Sequence, residues 1–284
     1  MPRVQSPSSI GCFKQCPRKY YYQYIAQLRT KPNVHQVRGN IAHKVLELFF
    51  DQDVSKLTLD AFELGLMEIM QELLLKEWNG SANQLKVLKL TQAQLQFYFE
   101  ETLLMLFNWL NHFVRKIYTM VGSFPERFLK LTPIREEMIM NEELQARGII
   151  DAIENYDGQV RIMDYKTSNH SDEEEYRLQL AIYTLLYHEK HGKLPDKVGI
   201  YFLKDRPKFI EADASLLELA RREIELIHKH TQSSQLKDYV RTPTKLCKWS
   251  TGQCDFFEVC KPFDPHPEEK FVSEQELIQK AHNS

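Results

Sequence analysis

Residues 144–167 read LQARGIIDAIENYDGQVRIMDYKT, and the architecture of the chain follows from them. Leu144–Glu154 and Gln159–Lys166 have the residue types of strands, and Asn155-Tyr156-Asp157-Gly158 between them is a turn signal. A two-residue Asp157-Gly158 turn pairs Tyr156 with Gln159 and fixes every later rung. Asp151 then falls opposite Asp164, a placement that brings Cβ atoms to about 4.5–5.5 Å. Side chains alternate along a strand, so Asp164 and Lys166 share a face. Two carboxylates and an ammonium meet on one small patch. Like charges that close repel unless a cation sits between them, and magnesium or manganese suits such an oxygen site. A loop one residue longer would place Asp151 opposite Met163. The plain alternative is a surface hairpin with scattered charges, but the apolar flanks Ile149, Ile150, Ile162 and Met163 favour carboxylates beside a buried sheet.

The rest of the chain frames this hairpin. Ile134–Met140 reads as a third strand. Ser171 with Glu174 makes a capping box, with Asp172, Glu173 and Glu175 in the first turn, so a helix is expected to run to about His191 and stop at Gly192. Val198–Leu203 reads as a short buried strand and Ala212–Thr231 as a helix. Nearer the start, helices are expected from about Ser8 and through Tyr20–Tyr22. Gly39–Asp51 sets Ile41, Val45, Leu48 and Phe49 on one stripe. Residues 56–121 read as helical throughout, which makes about 52–130 a helical insertion. Residues 240–263 read as a cysteine-bearing loop region, and 265–284 as a polar tail with one short helix.

The 284 residues are 43% hydrophobic and 27% charged, an ordinary soluble composition that fits one core plus an insertion. The net charge of −2 provides no overall basic field, so any nucleic-acid contact must come from local patches. Met1 to Ser9 shows no signal peptide and no run of 18 apolar residues occurs, which predicts a cytoplasmic protein. The five cysteines are an odd count for a disulfide framework and sit at the two ends, as Cys12, Cys16, Cys247, Cys254 and Cys260. In a reducing compartment such clusters are more often metal ligands than cystines.

Gly148-Ile149-Ile150-Asp151 followed by Asp164-Tyr165-Lys166-Thr167 resembles the catalytic core of PD-(D/E)XK nucleases of the RecB type. Gly39-Asn40-Ile41-Ala42-His43 is similar to that family's Gly-x-x-x-His helix, and Gln179-Leu180-Ala181-Ile182-Tyr183 to its Gln-x-x-x-Tyr helix. The four motifs stand in the family's order. The resemblance implies an α/β restriction-endonuclease-like core, with a central mixed sheet flanked by helices. It implies that Asp151, Asp164 and His43 hold the metal, that Lys166 serves the attacking water, and that Gln179 and Tyr183 contact DNA. Taken alone, a His on an amphipathic helix is usually structural. Gln179 and Tyr183 alone would be a helix surface beside Leu180, Leu185 and Leu186.

Cys16-Pro17, Cys247 and Cys254-x5-Cys260 resemble the iron–sulfur subset of these nucleases, which includes AddB nuclease domains and CRISPR-associated adaptation nucleases. The resemblance implies a [4Fe–4S] cluster on Cys16, Cys247, Cys254 and Cys260 that staples 12–20 to 245–262 within one nuclease domain, 1–264. The family's Cys-x2-Cys would put a ligand at Thr251, where this chain has Cys247 four residues earlier, and Cys12 is the alternative to Cys16. Zinc is the rival occupant, and buried thiols are the plain one. Arg18 and Lys19 beside Cys16 would carry basic charge to DNA, whereas Tyr20–Tyr22 and Tyr24 read as packing. The implied activity is cleavage of single-stranded or end-containing DNA, alongside repair, recombination or CRISPR adaptation proteins. An inactive DNA-binding module and an RNA nuclease stay open beside it. The retention of His43, Asp151, Asp164 and Lys166 favours the enzyme.

Overall fold

The structure, a computed structural model, describes residues 3–168, 176–249 and 252–264. The expected Ser171–Glu174 capping box and the tail 265–284 lie outside the described residues.

The chain opens with α1 (Pro7–Gln15) and α2 (Pro17–Tyr20), the latter running into a π-helical turn at Tyr21–Ile25. Ser6 caps α1 by accepting the N–H of Ser9, and Pro7 fits its first turn. Next comes α3 (Val34–Phe49), capped by Asn33 and five residues longer at its start than its apolar stripe foretells. The insertion holds α4 (Phe62–Gly80), α5 (Ala82–Val87), α6 (Gln92–Thr119) and α7 (Phe124–Leu131). The helical run expected over 56–121 is therefore broken. Lys89 takes a left-handed φ of 53°, and Thr91 with Gln94 forms a capping box that starts α6 anew.

Five strands follow, with one helix between the third and fourth: β1 (Ile134–Asn141), β2 (Ala146–Tyr156), β3 (Gln159–Lys166), α8 (Arg177–His191), β4 (Lys197–Phe202) and β5 (Pro207–Glu211). They form one sheet in the order β1-β2-β3-β4-β5. The β2–β3 turn is the expected one. Asp157 and Gly158 both have positive φ, 54° and 71°, as a twist-matched two-residue hairpin requires, and Tyr156 pairs with Gln159. β3 and β4 are parallel, joined through α8, while β4 and β5 are antiparallel, so the sheet is mixed. α8 ends at Gly192 in the left-handed conformation, as its sequence indicates. The chain continues through α9 (Ala214–His230) to β6 (Lys248–Trp249), β7 (Gly252–Gln253) and α10 (Phe257–Cys260). No helix among the described residues is long and apolar enough to cross a membrane.

Packing divides the chain into two compact units, one from 1–31, 140–147 and 219–284, the other from 32–139 and 148–218. In the larger unit the inner stripe of α3 (Ile41, Val45, Phe49) packs with Phe62, Leu66, Leu106, Trp109 and Phe113 of the insertion and with Ala152, Met163 and Tyr165 of the sheet. The insertion thus shares one core with the strands. The smaller unit centres on Tyr20, Tyr21, Tyr22, Leu28, Tyr239 and Phe256, so the tyrosine run is packing, as read from sequence. Gln5, wholly buried there, bridges to Ala146 and bonds Ser9 and Tyr20 through its amide.

Candidate functional site

The candidate metal centre lies where β2 and β3 stop pairing. The paired rungs run from Tyr156↔Gln159 to Ala152↔Met163. Beyond them the N–H of Tyr165 donates to Oδ2 of Asp151 at 2.6 Å, a side chain in the position of a strand carbonyl. Nε2 of His43, on α3, donates to the carbonyl of Tyr165 at 2.9 Å. The backbone of one residue therefore orients both side chains. With Nε2 so engaged, Nδ1 faces Asp151, 3.3 Å from Oδ1, and is the nitrogen left for a metal. Burial alone would lower the pKa of His43, but the hydrogen bond and charge of Asp151, with Asp164 adding to them, raise it to about 9. Without metal, His43 is a cation paired to Asp151.

A residue not singled out in the sequence completes this group. Ligand atoms of His43, Glu136 and Asp151 all lie within 4.8 Å of one another. Glu136 sits in β1 with a left-handed φ of 48°. Simple alternation would put it on the face of Met138 and Met140, both exposed. The kink breaks that alternation, so Glu136 turns to the site while Glu137 bonds Lys190. Burial, then the nearby charge of Asp151, raises the Glu136 pKa to about 7. An open cleft of about 360 Å³ lies over these groups, lined by Gly39, Asn40, His43, Lys44, Glu47 and Glu136.

Asp164 does not join that trio. Its buried carboxylate is held by other partners: Oδ2 lies 2.6 Å from Nζ of Lys166, and Oδ1 accepts from Gln179 at 2.7 Å and from Tyr183 at 3.3 Å. Oδ2 is buried, with the Lys166 ammonium as its ion-pair partner. Burial raises the Asp164 pKa to about 6, against the opposing charge of Lys166, and the charge of Asp151 adds to the rise. Burial would lower the Lys166 pKa, but the Asp164 carboxylate raises it, so the ammonium stays charged. Gln179 also donates to the Tyr183 hydroxyl at 2.9 Å. The amide nitrogen of Gln179 and the hydroxyl of Tyr183, two residues expected to contact DNA, are thus engaged with Asp164. Imidazole and carboxylate donors brought together in a partly buried place fit a divalent cation such as magnesium or manganese.

The five cysteines all lie in the smaller unit, half-buried and free. Neighbouring sulfurs add to the rise in one another's pKa: Cys16 and Cys254 act on Cys12 and on Cys260, and Cys247 on Cys254. Burial is the largest cause that raises the Cys12 and Cys260 thiols to about 11. Cys247 receives the N–H of Thr244 on Sγ at 3.4 Å, and its carbonyl accepts from the N–H of Cys254 at 3.0 Å. Cys12, Cys254 and Cys260 pack on the tyrosine cluster. Arg18 donates Nε to the carbonyl of Tyr239 at 2.6 Å, and Lys19 reaches Gln15 at 2.8 Å.

The chain matches the model of the PD-(D/E)XK nuclease superfamily over residues 5–261 and belongs to that superfamily. Among solved structures it is similar to a "Putative exonuclease" from Eubacterium rectale, at 13% identity, covering 91% of this chain and 93% of that one with a TM-score of 0.49. A search of curated proteins gives no match.

Proposed function

We propose that the chain is a metal-dependent deoxyribonuclease that hydrolyses phosphodiester bonds, acting on single-stranded DNA from an end. The observation that carries this reading is the His43–Glu136–Asp151 group beside the buried Asp164–Lys166 pair, in a member of a nuclease superfamily. Glu136, Asp151 and His43 would hold a divalent cation, with Asp164 next to them. Such an ion supplies Lewis-acid polarisation of a phosphoryl oxygen and makes water more acidic. The chain's own groups do the remainder. Lys166, kept charged by Asp164, orients the attacking water and steadies the charge that grows on the phosphoryl oxygens. Gln179 and Tyr183 hold the Asp164 carboxylate in place, and His43, oriented by the Tyr165 carbonyl, cannot turn away from Asp151. Repair, recombination and CRISPR spacer processing are the settings in which trimming of this kind is used, and a cytoplasmic location fits each.

The test is cleavage of end-labelled single-stranded DNA with magnesium or manganese, with Asp164→Ala and Lys166→Ala run in parallel. Metal-dependent cleavage lost in both variants is the expected result. Binding without cleavage by the parent would replace the enzyme with a DNA-binding module.

For the smaller unit we propose a [4Fe–4S] cluster on Cys16, Cys247, Cys254 and Cys260, with Cys12 and zinc as the alternatives. Thiols from both ends of the chain within electrostatic reach, one accepting a backbone N–H on sulfur, support a thiolate site of this kind. Iron and acid-labile sulfide in matching amounts in anaerobically purified protein would favour the cluster, and stoichiometric zinc would favour its rival.

A further inference from the structure

The net charge of −2 conceals a division. Residues 1–31 contain six lysines and arginines and no acid, and residues 237–261 contain five against three acids. These segments therefore hold a formal charge of +8, and the remainder of the chain −10. Both fall in the smaller unit. Three of its arginines bond carbonyls: Arg3 to Thr231 at 3.0 Å, Arg18 to Tyr239 at 2.6 Å and Arg241 to Lys261 at 2.8 Å. A carbonyl accepts the hydrogen bond without neutralising the charge. Lys14 has an acid, Glu223, at 2.6 Å. Among the described residues no carboxylate pairs with Arg29, Lys31, Lys245, Lys248 or Lys261, and all five are exposed.

On this unit β6 and β7 form a small antiparallel hairpin, pairing Trp249 with Gly252 and Lys248 with Gln253. The Trp249 indole packs directly on Gly252, where an added Cβ would come within 2.9 Å of the ring. Only glycine lets the ring lie there. Trp249 is nonetheless 48% exposed, an uncommon state for the residue with the most apolar surface to bury. Lys248 lies beside it in sequence, its ammonium 5.5 Å over the Phe257 ring, and Lys245 is exposed three residues before that. Thr242, Thr244 and Gln253 are also exposed, so the stretch of chain around Trp249 is polar and cationic in sequence.

We propose that this hairpin is a contact for single-stranded nucleic acid, in which Trp249 stacks on a base while Lys245 and Lys248 take the flanking phosphates. An aromatic face with neighbouring lysines is the chemistry that grips a single strand without reading its sequence. The excess positive charge of the unit draws the same polyanion and repels other basic surfaces. The inference rests on the nuclease reading only for the identity of the ligand. It adds a second point of hold, outside the metal centre.

The experiment is fluorescence anisotropy of a labelled oligo-deoxythymidine on full-length protein carrying Asp164→Ala, so that binding is read without cleavage. Adding Trp249→Ala should weaken binding by about tenfold, in the range a lost base stack costs, and Trp249→Phe should restore most of it. Lys245→Gln with Lys248→Gln should make the salt dependence shallower by about 1.4 log units per log unit, at about 0.7 per phosphate contact on a single strand. If all these variants bind with the parent's affinity and salt slope while wild-type protein still cleaves DNA, this contact is wrong and the nuclease reading stands. If neither cleavage nor binding is seen in the parent, both fall. Loss of binding to anionic lipid vesicles, and not to DNA, in Trp249→Ala would make the hairpin a membrane contact and overturn the proposal.

Discussion

Glu136 shows how a single residue can carry a site and leave little trace in the sequence. A left-handed backbone at a non-glycine residue costs roughly 1–2 kcal/mol, and such costs gather where function needs an unusual direction. Here the kink sends a carboxylate to within 4.8 Å of Asp151 and His43, and its raised pKa records the crowding. Glu136→Gln removes one charge from the crowd. We expect it to weaken manganese binding by at least about tenfold, the loss that even an outer partner of a metal site causes. The metal-free protein should melt no lower than the parent. Calorimetric titration with manganese and a thermal melt check both, and an unchanged affinity would remove Glu136 from the ligand set. Tyr183→Phe separates two roles. If its hydroxyl supports Asp164, kcat falls and KM for DNA stays. If it touches DNA, KM rises. The geometry, a 3.3 Å donation to Oδ1, predicts the first, with about 1 kcal/mol lost in stability. Asp151, Asp164 and Lys166 could be placed from the sequence because strand period and turn type set their faces, whereas His43, on a helix, came only from its motif's resemblance. Glu136 could not be placed, since no local rule sets a glutamate in the left-handed region.

At the level of elements, the glycine of the Gly-Ile-Ile-Asp motif explains its neighbour in the Gln-x-x-x-Tyr helix. A Cβ on Gly148 would stand 3.0 Å from both the Tyr183 ring and Leu186, so a side chain here would push on α8 where it lies against β2. Gly148→Ala should therefore destabilise by about 1–3 kcal/mol, the usual cost of overpacking. It should also lower cleavage, because Tyr183 moves with the helix. A chemical denaturation curve and a rate measured on the same sample test the pair, and parental values for both would mean the contact is slack. The hairpin, α8 and β4 were legible because turn residues, a C-terminal glycine and an apolar run each have a local cause. β5 was not foreseen. It begins at Pro207, places Phe209 and Ile210 side by side, and becomes a strand through its pairing with β4. The β6–β7 hairpin, two residues a side, has no periodicity to read. α7 is a different case: Ser123, Pro125 and Glu126 are local start signals for it in the sequence.

For the molecule as a whole, composition misleads by averaging. A net charge of −2 suggests indifference to polyanions, yet it sums a strongly basic part and a strongly acidic one. The two candidate centres are divided in the same way, the carboxylates and His43 in one compact unit and the cysteines in the other. Each should therefore fail separately. Cys254→Ser removes one thiolate from a site that, if it holds a cluster, ties Cys16 to Cys247, Cys254 and Cys260 across more than 200 residues of chain. Closing so long a loop restrains the unfolded chain by about 4–5 kcal/mol on the disulfide analogy. At this chain length that is a loss of several degrees in Tm. The manganese affinity of the other unit should stay within about twofold of the parent, because none of its ligands is touched and separated sites behave additively. Differential scanning calorimetry and a manganese titration on the same anaerobic preparation read both quantities. A parental melting temperature in Cys254→Ser would remove the staple, whereas a lost manganese site would show that the two centres depend on each other.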